Sequence, residues 1–244
     1  MLFRTLLVSL TLPTLAFAAL GPRSKPGVEL VTELLKLPSE VRFEAIAKQP
    51  DRVYETLLDV ARENSHSMNI RWKAVTTAAL LRREKAAPDL MKLSESKDWY
   101  IRNASLIGMA EVAPRQSVKL AHRLLKDPAL VVRSAAVDVL SKNMKDVDRG
   151  SLWKELTSDY NRRGGQSLWI RGQILEALAD NAQKSEFKNF SELLSEQDET
   201  VQKASMKGLE KITGLQVARN ASSHSKAVQL WKAHVSRQLA SELQ

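Results

Sequence analysis

Five times in this chain a branched aliphatic residue directly precedes a long polar one: Ile70-Arg71, Ile101-Arg102, Val132-Arg133, Ile170-Arg171 and Val201-Gln202. Successive polar members lie 31, 31, 38 and 31 residues apart (71 to 102, 102 to 133, 133 to 171, 171 to 202). A fixed period of about 20 to 50 residues is the mark of a stacked-repeat protein. It moves the functional question from a single catalytic pocket to an extended binding surface.

The repeat extends beyond the dipeptide. With the Arg or Gln as position zero, plus three reads Ala74, Ser105, Ala136, Ile174 and Ser205. Plus four reads Val75, Leu106, Val137, Leu175 and Met206, and plus seven reads Ala78, Met109, Leu140, Leu178 and Leu209. At about 100° per residue, positions minus one, plus three, plus four and plus seven share one broad apolar face of a helix. Position zero sits at the edge of that arc, so its side chain is expected to be largely covered and hydrogen-bonded. A second amphipathic segment precedes each copy: DRVYETLLDVAREN, APDLMKLSES, RQSVKLAHRLL, GSLWKELTSDY and EFKNFSELLSE. Two antiparallel helices per period, with Asp, Pro, Gly and Ser at the joints, predict an all-α chain of stacked helical hairpins.

LVVRSAAVDVL, preceded by KDPA, resembles the second helix of a HEAT repeat, in which a Val-Arg pair precedes small residues and a Leu. The resemblance recurs in register over roughly residues 50–214, and the short period resembles the compact bacterial HEAT units, including those of phycobilisome lyases. It implies a right-handed α-solenoid of about five to six repeats. It also implies a structural ladder of Arg71, Arg102, Arg133, Arg171 and Gln202, each bonding a nearby Asp or carbonyl groups between neighbouring units. The matching acids are Asp98, Asp127 and Asp198, while the first and fourth copies lack an obvious Asp and the fifth has Gln202 in place of Arg.

The ends read differently. MLFRTLLVSLTLPTLAFA, residues 1–18, combines one Arg, a short apolar run and Ala16-Phe17-Ala18, which is the pattern of a secretory signal peptide cleaved after Ala18. The apolar run is too short for a span of about 20 residues and is broken by Pro13. Residues 19–27 then form a flexible leader, and 28–49, divided at Pro38, a degenerate capping hairpin. Residues 215–244 make a polar connector and a C-terminal capping helix, on which Val228, Trp231, Val235 and Leu239 share a face. The chain has no cysteine, which removes disulfides, thiol nucleophiles and Cys-ligated metals. An exported, cysteine-free stack of hairpins fits a bacterial periplasm, or secretion, with no transmembrane span once the signal is removed.

One irregularity breaks the period. Between Arg133 and Arg171 the spacing grows by seven residues (38 against 31), around YNRRGGQSL. Insertions in solenoids emerge as loops on a functional rim. Arg162 and Arg163 offer planar donor forks for a carboxylate or phosphate, and Gly164-Gly165 allows close backbone approach. Positions plus one and plus five of each repeat helix lie opposite the apolar face. There, Trp72 and Ile107 predict a small apolar patch suited to a partner.

Catalytic patterns are absent: the four His residues (66, 122, 224 and 234) form no HExxH, and no GxSxG or Gly-rich phosphate loop occurs. His122 reads as a boundary residue rather than a ligand. No cofactor, metal or enzymatic activity is expected. The formal net charge of +9 admits a polyanion, such as nucleic acid, lipopolysaccharide or a cell-wall polymer, or anionic headgroups. Four of the Arg residues, however, belong to the ladder. Three readings follow: a scaffold or adaptor binding another protein, which is preferred; a basic solenoid binding a polyanion; and an enzyme of the lyase or glycosylase type that the resemblance allows.

Overall fold

The structure, a computed structural model, describes residues 27–48 and 50–242. The expected signal peptide (1–18) and all of the expected leader except Gly27 lie outside the described residues. The fold is all-α apart from one two-stranded hairpin. The chain divides into two compact units, one through Leu120 and one from Ala121.

The first unit opens with α1 (Val28–Lys36) and α2 (Ser39–Ala47), parted by Pro38, whose extended backbone stands at the N-cap of α2. Next come α3 (Pro50–Arg62), α4 (Met68–Arg82), the short α5 (Ala87–Leu93) and α6 (Trp99–Val112). The division between units falls inside α7 (Pro114–Leu124). α4 packs against both α3 and α6, α5 lies on α6, and α1 lies on α3 and α4. The second unit contains α8 (Leu130–Ser141), α9 (Arg149–Thr157), α10 (Trp169–Asp180), α11 (Phe187–Leu193), α12 (Glu199–Thr213) and α13 (His224–Glu242). α10 packs against α8, α9 and α12, while α11 and α13 both lie on α12. Each repeat thus contributes a shorter first helix and a second helix, and the second helices carry most of the packing.

The period explains that division of labour. All residues at plus three and plus seven are buried, as are all at plus four except Met206, which is half-buried. At minus one, Ile101, Val132, Ile170 and Val201 are buried, and only Ile70 is partly open. Each such aliphatic side chain contributes roughly 1.5–3 kcal/mol relative to exposure. Small residues let the helices close up. A Cβ on Gly172 would stand 2.7 Å from Thr200 Cγ2, and one on Gly208 would stand 2.5 Å from the Phe190 ring.

Helix ends follow their local chemistry. Asp198 accepts from the Thr200 and Val201 N–H groups at 2.8 and 3.4 Å, satisfying donors at the start of α12. Gly214 adopts φ 72° and ends the same helix, its N–H donating to Glu210 O at 2.8 Å. On α13, Val228, Trp231 and Val235 are buried, but Leu239 is 40 % exposed. The four therefore do not form one covered stripe, because Leu239 stands at the wall of an open groove.

The insertion is not a plain loop. Residues Arg162–Arg163 (β1) and Gln166–Ser167 (β2) pair antiparallel, Arg162 opposite Ser167 and Arg163 opposite Gln166. Gly164 and Gly165 have φ of 57° and 79°. Two successive positive φ values match the strand twist in a two-residue turn, which is why a Gly-Gly pair closes a hairpin here.

Candidate binding surface

At position zero the guanidinium groups face inward. Arg71 is 4 % exposed; its Nε donates to Ala61 O at 2.9 Å, and its Nη1 reaches the Tyr100 hydroxyl at 2.5 Å and Asp98 at 2.8 Å. Arg102, half-buried, donates from Nη1 to the carbonyls of Ser96 and Lys97, both at 2.9 Å. Arg133, 4 % exposed, donates to Asp127 O (2.7 Å), Pro128 O (3.2 Å), Tyr160 O (3.2 Å) and Asn161 Oδ1 (3.1 Å). Arg171, 1 % exposed, donates to Leu156 O at 2.7 Å, to the Ser167 hydroxyl and to Glu196 Oε1 at 2.9 Å. Gln202 reaches Leu194 O and Glu196 O at 3.3 and 2.7 Å, and its Oε1 meets His224 Nε2 at 2.6 Å.

The acids are distributed differently from the expectation. Asp98 takes Arg71 of the first copy and Glu196 takes Arg171 of the fourth, the two copies without an obvious Asp at those offsets, while Asp198 caps α12. Asp127 offers Arg133 its backbone carbonyl, while its Oδ1 accepts from the Ala129 N–H at 2.8 Å. Arg71, Arg133 and Arg171 thus each tie the segment before their own helix to the segment that leads into the next second helix, whereas the bonds of Arg102 go to the loop before its own helix. The hydrogen bonds from Arg171, with burial opposing them, hold the Glu196 carboxyl below the usual carboxylate range; the charges of Arg171 and Arg162 add to this.

Arg162 on β1 joins the same cluster, its Nη2 donating to Glu196 Oε1 at 3.1 Å. Its fork is therefore occupied by an internal carboxylate, whereas Arg163, one residue on, is exposed. The hairpin rests on Asn161, which is buried: Nδ2 donates to Glu155 O at 2.9 Å and Oδ1 accepts from Arg133.

Trp72 and Ile107 lie on α4 and α6, two helices of the first unit packed against each other. Ile107 is 41 % exposed and Trp72 half-buried. Positions minus three, plus one and plus five form one i, i+4 row along a helix flank. In α4 that row is Met68, Trp72 and Thr76; in α6 it is Trp99, Asn103 and Ile107. Met68 and Trp99 are 53 % and 42 % exposed, so four large apolar side chains border two adjacent rows. The plus-one position is less open than the wheel predicts: Asn103 and Gly172 are buried, and Thr200 of α12 closes over Gly172. In the second unit the same rows read Leu130, Ser134, Asp138 and Leu168, Gly172, Glu176, so acidic residues stand where α6 has Ile107. Arg162 and Arg163 belong to the second unit, and Trp72 and Ile107 to the first.

A histidine–serine contact invites a catalytic reading, and its hydrogen bonds argue otherwise. His122 Nδ1 lies 3.0 Å from Ser151 Oγ, and His122 Nε2 accepts from the Asp148 N–H at 3.3 Å. Nε2 is the acceptor, so the neutral ring carries its proton on Nδ1 and donates it to Ser151. The Ser151 hydroxyl proton goes to Asp148 O at 2.7 Å. The imidazole cannot serve as base to that serine; the trio clips the start of α9 to α7. Burial lowers the His122 pKa below its ordinary value, with Asp148 opposing. The unfolded chain therefore binds the proton first. Stability is complete above about pH 6.5 and falls as the pH drops from there through the lowered folded value. Denaturant unfolding is expected to show this slope in wild type, and His122→Asn should flatten it.

Among the described residues no group of three or more His, Asp or Glu could hold a metal ion. No helix among them is long and apolar enough to cross a membrane. No protein-family model matches the chain. No curated protein matches it either. Among solved structures it is similar to the crystal structure of an engineered protein from a structural genomics consortium. That match has 19 % identity and a TM-score of 0.42, covering 75 % of this chain and 96 % of the other.

Proposed function

We propose that this chain is an exported HEAT-type scaffold or adaptor, a right-handed solenoid of five repeats between terminal caps, that binds a partner protein through the flanks of its repeat helices. The reading rests on one observation. On the two adjacent helices α4 and α6, Met68, Trp72, Trp99 and Ile107 present large apolar surface along matching rows, while the guanidinium groups at position zero are turned inward to hold the stack. Exposed aromatic and aliphatic side chains grouped in this way are characteristic of protein interaction sites. Arg163 on the inserted hairpin is a separate contact for an acidic group. The expected processing after Ala18 places the partner outside the cytoplasm.

The test is recovery of a partner from a periplasmic extract with the full chain, followed by affinity measurement. Trp99→Ala is expected to weaken that complex by about tenfold or more, equivalent to roughly 1.4–2 kcal/mol, and Ile107→Asp by a similar factor. Affinity within error of wild type for both variants discards the surface. Binding that instead collapses with added salt and is insensitive to both substitutions marks a polyanion as the ligand.

A further inference from the structure

The end of the second unit carries an open groove of about 930 Å³ between the close of α12, the outer part of α13 and the turn leading into α11. Its apolar side chains are Phe187, Ile212, Leu215 and Leu239. Leu215 and Leu239 are 47 % and 40 % exposed, unusual openness for two leucines in one trough. Around them stand Lys184, Lys188 and Arg237, and among the described residues no Asp or Glu lines the groove. Glu186 is buried against Arg149, and Glu192 makes only a 4.0 Å contact with Lys188 in which both side chains are largely exposed. An exposed pair at that distance holds little energy, so Lys188 remains available to a ligand.

We infer that this groove is a docking site for an acidic amphipathic helix of a partner protein, its apolar face on Ile212, Leu215 and Leu239 and its carboxylates toward Lys184, Lys188 and Arg237. Charge complementarity selects the sign of the occupant: three cations without a lining carboxylate oppose a basic segment, and a second copy of this positively charged rim would repel the first. The open shape selects its form. A trough open to water cannot enclose an acyl chain, but it suits a helix that keeps its polar face solvated and buries residues at i, i+3, i+4 and i+7. The groove lies in the second unit and the Met68–Ile107 rows in the first, so either site can fail while the other stands.

The probe is a synthetic helical peptide of about 16 residues with Leu at i, i+3, i+4 and i+7 and flanking Glu, titrated into the full chain by fluorescence anisotropy. A scrambled peptide of the same composition and phosphatidylglycerol vesicles serve as comparisons. Binding of the amphipathic peptide is expected to exceed that of the scrambled one by tenfold or more. Leu239→Asp should weaken it by at least about tenfold, as should the pair Lys184→Glu with Arg237→Glu. All of these side chains are on the surface, and circular dichroism checks that each variant is folded. Equal binding of ordered and scrambled peptides, no loss in either variant, or no binding at all overturns the proposal. So does tighter binding to the vesicles that is abolished by the same substitutions, which would assign the groove to a lipid surface.

Discussion

Glu186→Ala is expected to destabilise the protein by about 3–5 kcal/mol, the cost of leaving a buried partner charge unpaired. The carboxylate is 8 % exposed and accepts from Arg149 Nε and Nη2 at 2.7 and 2.5 Å, from Trp153 Nε1 at 2.7 Å and from the Gln183 N–H at 2.9 Å. Without it, Arg149, itself 12 % exposed, keeps Leu178 O at 3.2 Å as an acceptor, and the indole N–H of Trp153 loses its partner. A fall of about 10 °C in the unfolding midpoint corresponds to that loss for a chain of this size. The pair Arg149→Met with Glu186→Leu should recover much of it, because an apolar replacement removes both charges together. Burial pushes the Glu186 carboxyl up, and the bonds from Arg149, Trp153 and Gln183 outweigh it, so its pKa lies below the ordinary value. Its contribution is therefore complete above the unfolded carboxylate pKa and is lost as the pH falls through the folded one. A midpoint within about 2 °C of wild type for Glu186→Ala would show that the cluster does not hold the unit together.

Arg133→Ala is expected to cost about 3 kcal/mol without any ligand present, measured by denaturant unfolding. Three backbone carbonyls and the Asn161 side chain lose their donor, and each buried unsatisfied acceptor costs about 1–3 kcal/mol. Asn161 carries the base of the inserted hairpin, so the loss should also loosen residues 162–167, read as faster proteolysis there. Arg133→Lys should recover only part, since an ammonium cannot reproduce the fork that spans Asp127 O and Asn161 Oδ1. An unchanged curve for Arg133→Ala would mean that its bonds are exchanged for water at no cost.

The helical pairs were readable because burial in a repeat obeys a period: Ala74, Val75 and Ala78, and their counterparts in the four later copies, announce one face without knowledge of the neighbours. What depended on distant partners was not readable. Glu186 looks like any surface acid in KSEFKNF, and its partners Arg149 and Trp153 lie 37 and 33 residues earlier. Arg162 looked available for an external anion until Glu196, 34 residues later, came to meet it. Gly164-Gly165 was read as part of a loop and closes a hairpin instead, because two-residue strands have too little alternation to be told from a polar loop. Met68 and Trp99 carried a usable signal, since each sits four residues before a plus-one position, and extending the row by one turn finds them. Leu239 followed its helical face faithfully; the packing simply stops before it does.

The change from Arg171 to Gln202 also sets the order in which the second unit comes apart. A neutral amide makes hydrogen bonds roughly half as strong as those of a guanidinium to a carboxylate. Its contact with His224 fastens the first residue of α13 to the helix before it. Amides of α13 should therefore exchange with solvent through small local openings, while those of α8 and α10 wait for rarer and larger ones. Fraying would begin at the C-terminal helix and reach α10 and α8 only in those rarer openings.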